Sequence, residues 1–291
     1  MTQQANALSS GKGHGDENFP VASFLIEPRH RAAILAFYRF ARTADDVADH
    51  ATTAPEEKLR LLNEMQDGLL GTSDASAEAV ALRAALAARS LSMQHAFDLL
   101  EAFRRDVTKR RYADWSELMD YCRYSAMPVG RFVLDVHGED RETWPCSDAL
   151  CAALQVINHV QDCGKDYRAL DRIYLPQDAM DAADIAPEAL AASQASPALR
   201  QVIAHLALRT DALLAQARPF AAAIGDFRLG LEVSVIQALA ESLNRGLRHK
   251  DPLSQRVHHS KMEMAGLALG ASARFVFTPR RKPATTPALV P

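Results

Sequence analysis

Apolar residues recur at three- and four-residue spacing along most of the chain, and alternating β-branched runs are scarce, so the pattern predicts helix after helix. The first begins after Glu27, with Pro28 suited to its first turn. Its apolar stripe is Ala33, Ile34, Phe37, Phe40, Ala41, Ala44 and Val47, and it runs to about His50. Pro55 opens a second helix through Leu70, ended by Gly71, and a third spans about Asp74 to Arg89. Ser92 is placed to cap a fourth over Phe97, Leu100, Phe103 and Val107. Asp114 and Glu117 have the spacing of a capping box, followed by Leu118, Tyr121, Tyr124 and Ser125; Pro128 and Gly130 then predict a break. Ser147 is read as the cap of a long helix through Leu150, Leu154, Ile157 and Val160 that fades near Tyr167. Later helices fit 187–192, 197–218, 227–247 and 254–275.

No Pro/Gly/Ser-rich linker and no fixed-period repeat divides the middle of the chain, so one all-α domain is expected. It is bounded at 17–276, with residues 1–16 and the proline-rich 277–291 read as disordered tails. At 291 residues, 48% hydrophobic and 24% charged, the chain can bury a large core and is not disordered as a whole. Thirty-three basic against 36 acidic residues leave a net charge of −3, without the basic excess of nucleic-acid binders. No run of 18 apolar residues and no secretory apolar stretch occur. Cys122, Cys146, Cys151 and Cys163 form no C-x-x-C pair, which fits reduced thiols in a cytoplasmic protein.

The chemistry concentrates in two acidic clusters. Asp45, Asp46 and Asp49 can share one face at the end of the first helix. Like charges at this spacing, at the negative end of the helix dipole, oppose the helix, so something must offset them. A solvated acidic helix end is the plain alternative. The second cluster is Asp162 and Asp166, at the end of the helix read over 147–166, with Gln155 and Asn158 on the same ridge. A buried polar network is the alternative there. Two facing carboxylate clusters can hold Mg²⁺, and Mg²⁺ is commonly shared between one or two carboxylates and substrate phosphates. A diphosphate so neutralised becomes a good leaving group, and an Ala/Leu-rich bundle beneath supplies a dry cavity for a hydrocarbon chain.

The stretches 38–49, YRFARTADDVAD, and 121–130, YCRYSAMPVG, together with Gln155 to Asp166 followed by Arg172-Ile173-Tyr174-Leu175-Pro176, resemble in order and spacing the signatures of the squalene and phytoene synthases. The resemblance covers about Phe19 to Arg274. It implies an all-α, single-domain isoprenoid-synthase bundle with a central apolar cavity. Glu17-Asn18-Phe19-Pro20-Val21-Ala22-Ser23 and the segment 125–130 look most like the bacterial hopanoid-pathway branch, which implies presqualene diphosphate and water as substrates. The sequence departs from the family where Arg is common, at Gln161, and where Glu is common, at Lys165.

The same resemblance implies Asp45, Asp46, Asp49, Asn158, Asp162 and Asp166 as metal residues holding more than one Mg²⁺. It assigns Asp45, Asp49, Asp162, Asp166 and Tyr124 to catalysis, Tyr124 by facing a carbocation. Asn18, Phe19, Tyr38, Arg42, Gln155, Asn158, Arg172 and Tyr174 are the implied substrate residues, Arg42 on the diphosphate. No glycine-rich dinucleotide fingerprint follows a strand, so no NADPH is expected. The basic run Arg104, Arg105, Lys109, Arg110 and Arg111 reads as a solvated face, a phosphate contact or a membrane-surface attraction. Peripheral contact at the inner face of the membrane and neighbouring hopanoid-pathway enzymes are the implied partners, and nucleic acid is not. His159 reads as a structural or hydrogen-bonded histidine, and His258-His259 lack zinc-site partners. Phe24, Phe37, Phe40 and Phe132 either line the tunnel or pack the core. Two readings stay open beside release of diphosphate from presqualene diphosphate: condensation of two prenyl diphosphates, and a catalytically silent helical scaffold.

Overall fold

The structure, a computed structural model, describes residues 27–277. The expected tail at 1–16, residues 278–291 of the expected C-terminal tail, and the candidate residues Asn18, Phe19 and Phe24 lie outside the described residues. The described residues form α-helices, two short 3₁₀ turns and one isolated β-bridge between Arg111 and Ile173.

Helix α1 (Pro28–Asp49) opens on Pro28 in its first turn, where the missing N–H leaves no helical bond unmade. Helix α2 (Pro55–Leu70) ends at Gly71 in the left-handed conformation, φ 81°, where glycine has no Cβ penalty. Helix α3 (Ala77–Ala87) starts later than its apolar pattern because Ser76, not Asp74, accepts from the Ala79 amide. Helix α4 (Gln94–Thr108) follows. In α5 (Trp115–Ser125) the Asp114 carboxylate accepts from the Glu117 amide, while Glu117 accepts from the Ala113 amide. The predicted break falls at Ala126, before α6 (Met127–His137), whose first turn holds Pro128.

Gly130 lies inside α6 and not at the break. A Cβ there would collide with Ser147 Oγ and stand 2.6 Å from Cys151 Sγ, so the glycine lets α6 approach α7 (Trp144–Gln161) closely. Gly130→Val is expected to cost about 1–3 kcal/mol by overpacking this seam; a denaturant midpoint equal to the parent's would refute the close-approach explanation.

Ser147 is a fully buried residue within α7, not its cap; the helix begins earlier, with Pro145 in its first turn. The second acidic cluster is also not on one helix. Asp162, with φ −97° and ψ 5°, interrupts the run, and Asp166 belongs to α8 (Cys163–Leu170). The Asp166 amide still donates to the Asp162 carbonyl at 2.8 Å, so the cluster survives the break. Next come α9 (Gln177–Ala182), which the sequence pattern did not predict, and a 3₁₀ turn at Pro187–Ala191. Helix α10 (Pro197–Ala217) is capped by Ser196, and a short α11 (Phe220–Ala223) precedes α12 (Phe227–Leu247). The last helix, α13, spans Lys261–Phe277. The expected start at 254 fails because 252–258 is a loop: Val257 is buried and its carbonyl accepts from the Gln161 amide nitrogen.

Two apolar clusters form the core. One joins α1, α2, α3 and α4 with Phe132 and Val136 of α6; the other joins α5, α7, α10 and α12 with Leu134 of α6. Phe37, Phe40 and Phe132 pack in the first, Phe37 stacked on Phe132 with ring centroids 3.9 Å apart. Of the two roles open to them, core packing is the one they take. All four cysteines are free thiols. No described helix is long and apolar enough to cross a membrane.

Candidate active site

On α1, the fully buried Phe37, Phe40, Ala44 and Val47 face the core, while a second stripe is only half-buried: Leu35, Tyr38, Ala41, Arg42, Asp45 and Asp49. On α7 and beyond it, Cys151, Leu154, Gln155, Asn158 and Asp162 form a similar half-buried stripe. Each stripe grades from apolar residues to amide, phenol or guanidinium groups and ends in carboxylates.

The two acidic ends face one cavity, since Arg42, paired to Asp45 and Asp46, lines it together with Asp162. Burial and then Asp162 push the Asp166 carboxyl up to about 7 against the pull of Lys165 and Arg172, with a last contribution from Asp49. Asp45 is likewise raised, by burial first and then by Asp49, against Arg42. Arg42, Asn158, Gln161 and Asp162 line one cavity of about 560 Å³ with Lys165, Arg168 and the loop 252–258.

The offset demanded by carboxylates at a helix C-terminus comes partly from the protein's own cations. Arg42 donates to Asp45 at 2.9 Å and to Asp46 at 2.7 Å. Lys58 Nζ donates to the Ala48 carbonyl at 2.9 Å, satisfying a free end of α1. Arg172 donates to Asp49 at 2.9 Å, to the Asp106 carbonyl at 2.8 Å and to the Tyr174 hydroxyl at 3.2 Å.

Arg172 and Tyr174, expected to line the substrate site, are both buried, with Arg172 against Asp49. The reason is the backbone pairing of 171–176: Ile173 N donates to the Arg110 carbonyl at 2.9 Å, and Gln177 N to the Tyr112 carbonyl at 2.9 Å. This ties the segment to the α4–α5 connection. Asp106 is the centre of the buried layer. Its carboxylate accepts from Tyr121 at 2.7 Å and Tyr174 at 3.2 Å. Burial pushes it up to about 6, against Arg172 and the two hydroxyl donors. His159 stacks on Tyr174 with centroids 3.4 Å apart, and its Nε2 lies 3.0 Å from Gln155 Nε2. Burial, then Arg172, lowers His159 to about 3, so it is neutral and structural, as its position off the acidic ridge suggested.

Sequence reasoning missed Asp106 and Tyr121. The one available signal was an acidic residue inside a basic run. That run lies at the surface with its cations paired. Arg104 donates to Asn63 and Gln66, Arg105 to Glu101 and Asp120, Lys109 to Glu117, Arg110 to the Leu170 carbonyl, and Arg111 to Asp171. Tyr124 is half-buried and packs against the larger core cluster, with the Arg105 guanidinium over its ring at 4.2 Å.

The residues fit a hard divalent cation by one test. Carboxylates at the mouth outnumber the cations paired with them, and Asp45, Asp106 and Asp166 are all raised. Among the described residues no three His, Cys, Asp or Glu side chains converge as a ready cage.

Similarity to known proteins agrees with this geometry. The squalene/phytoene synthase family description matches residues 12–263. The chain is 58% identical over 267 residues to the hydroxysqualene synthase of Rhodopseudomonas palustris, covering 92% of this chain and 91% of that protein. It is 56% identical over 276 residues to the hydroxysqualene synthase of Zymomonas mobilis, covering 94% and 93%. Among solved structures, a squalene synthase from Alicyclobacillus acidocaldarius superposes with a TM-score of 0.70 at 31% identity, over 84% of this chain and 92% of that one. With its helical bundle and both carboxylate clusters at one mouth, the chain belongs to the squalene/phytoene synthase family.

Proposed function

We propose that this chain catalyses the hydroxysqualene synthase reaction: presqualene diphosphate and water give hydroxysqualene and diphosphate. The carbon–oxygen bond to diphosphate breaks and the leaving group takes the electron pair. The cyclopropylcarbinyl cation rearranges, and a water oxygen bonds to carbon and loses a proton. The observation that carries the reading is that Arg42, paired to Asp45 and Asp46, lines one cavity with Asn158 and Asp162. The relatives named above support the choice of substrate.

In this reading Asp45, Asp49, Asp162 and Asp166, with Asp46 and Asn158 supporting, hold more than one Mg²⁺. When bound, Mg²⁺ neutralises charge on the departing diphosphate. Arg42 turns from its paired carboxylates to the diphosphate, where its planar fork suits phosphate oxygens. Tyr38, Gln155 and Asn158 flank the head of the substrate. Arg172, held by Asp106 and Tyr174, fixes the Asp49 carboxylate from below. The stripes of α1 and α7 hold the hydrocarbon away from water until capture. Nothing in the reading calls on NADPH. Substrate and product both carry a long hydrocarbon skeleton, so in this reading the protein works at the membrane surface.

Purified protein with Mg²⁺ and presqualene diphosphate is expected to release diphosphate and form hydroxysqualene, identified by mass. Farnesyl diphosphate alone is expected to give no product. The resemblance to a squalene synthase favours condensation as the second reading; product from farnesyl diphosphate alone would establish it instead.

A further inference from the structure

Helix α13 buries little of itself. Ala271 and Phe275 alone are fully buried, against α12. Its outward face is apolar: Met262 is 87% exposed, Leu269 74%, Val276 56% and Phe277 85%. At about 100° per residue, positions 262, 265, 266, 269, 270, 273, 276 and 277 fall within about 140° of arc. They read Met, Ala, Gly, Leu, Gly, Ala, Val and Phe, without a charge. A Cβ on Gly266 or Gly270 would meet nothing within 4 Å, so this side of the helix is open along its length. Exposed apolar faces of this extent mark an interaction surface.

The charge around it chooses the partner. From residue 261 onward the chain carries Lys261, Arg274, Arg280, Arg281 and Lys282 against Glu263 alone, although the whole chain is at −3. Two copies meeting on this face would bring two basic segments together. An anionic bilayer would receive both the apolar side chains and the flanking cations. The helix is not long and apolar enough to cross a membrane, so it lies in the interface. We infer that the outward face of α13 docks this protein on anionic lipid, with Met262, Leu269, Val276 and Phe277 in the acyl boundary. The inference rests on the proposed activity for its purpose, delivery of a hydrocarbon substrate, but not for its physical basis.

Flotation of the full chain with phosphatidylglycerol-containing vesicles tests it, with phosphatidylcholine vesicles as the control. Binding is expected to the anionic vesicles only and to weaken as salt is raised. Leu269→Glu is expected to weaken binding by at least about tenfold, since it removes one buried large apolar side chain. Circular dichroism of the variant should match the parent, because Leu269 is a surface residue. Absence of binding by the parent, or equal binding by Leu269→Glu, would overturn the inference. So would a loss of self-association in Leu269→Glu, seen by sedimentation, with vesicle binding intact, since that makes a second copy the occupant. Flotation is read without substrate, so failure of the proposed reaction leaves this test standing.

Discussion

Asp45→Ala is expected to reduce diphosphate release from presqualene diphosphate by roughly a thousandfold or more, corresponding to about 4 kcal/mol of lost charge stabilisation. The fold should be kept. Asp45 is half-buried, and its partner Arg42 retains Asp46 at 2.7 Å. The Asp45 side chain is 37% exposed, so the pairing with Arg42 at 2.9 Å contributes little to the fold. Removing it should leave the melting temperature nearly unchanged. Single-turnover release of diphosphate, measured beside a thermal melt, separates the two effects. A variant retaining more than a tenth of the parent rate would remove Asp45 from the machinery.

The largest stability effect is expected at Asp106. Arg172 is 6% exposed and Asp106 7% exposed; Asp106→Ala removes the carboxylate 3.9 Å from the guanidinium, which keeps Asp49 and the main-chain carbonyl of residue 106, and leaves two buried tyrosine hydroxyls without their acceptor. Leaving those hydroxyls unsatisfied costs about 1–3 kcal/mol each. Asp106→Asn should cost less, because the amide oxygen still accepts one hydroxyl. The pH dependence gives an independent check. The folded state raises Asp106 to about 6 from an ordinary 3.8. Its titration therefore favours folding fully below about pH 4, and that contribution is lost as pH rises through 6. The stability advantage of the parent over Asp106→Asn should accordingly be larger at pH 4 than at pH 7. Chemical denaturation at the two pH values measures it; an advantage that grows with pH would contradict the buried position assigned to this carboxylate.

Arg42 shows how far local reasoning reaches. Its place four residues before Asp46 and three before Asp45 was visible in the chain, and the pairing at 2.9 and 2.7 Å follows from helical spacing. Arg172 shows where it stops. Its carboxylate partner, Asp49, is 123 residues away, and the main-chain oxygen it also binds, at Asp106, is 66 away. Nothing in the neighbourhood of Arg172 distinguishes a buried support from a substrate contact. The same limit hid Tyr121, whose hydroxyl donates to Asp106 fifteen residues earlier in the chain.

The sequence by itself determined the helical class, most helix limits and the two acidic clusters, because apolar period, proline position and capping chemistry act within a few residues. Only the tertiary structure decided the rest. It broke the second cluster at Asp162, turned 252–258 into a loop held by Gln161, buried Arg172 and Tyr174, and left one side of α13 bare. Each of these depends on which distant segment fills the space beside a residue, and close packing settles that only when the whole chain is assembled.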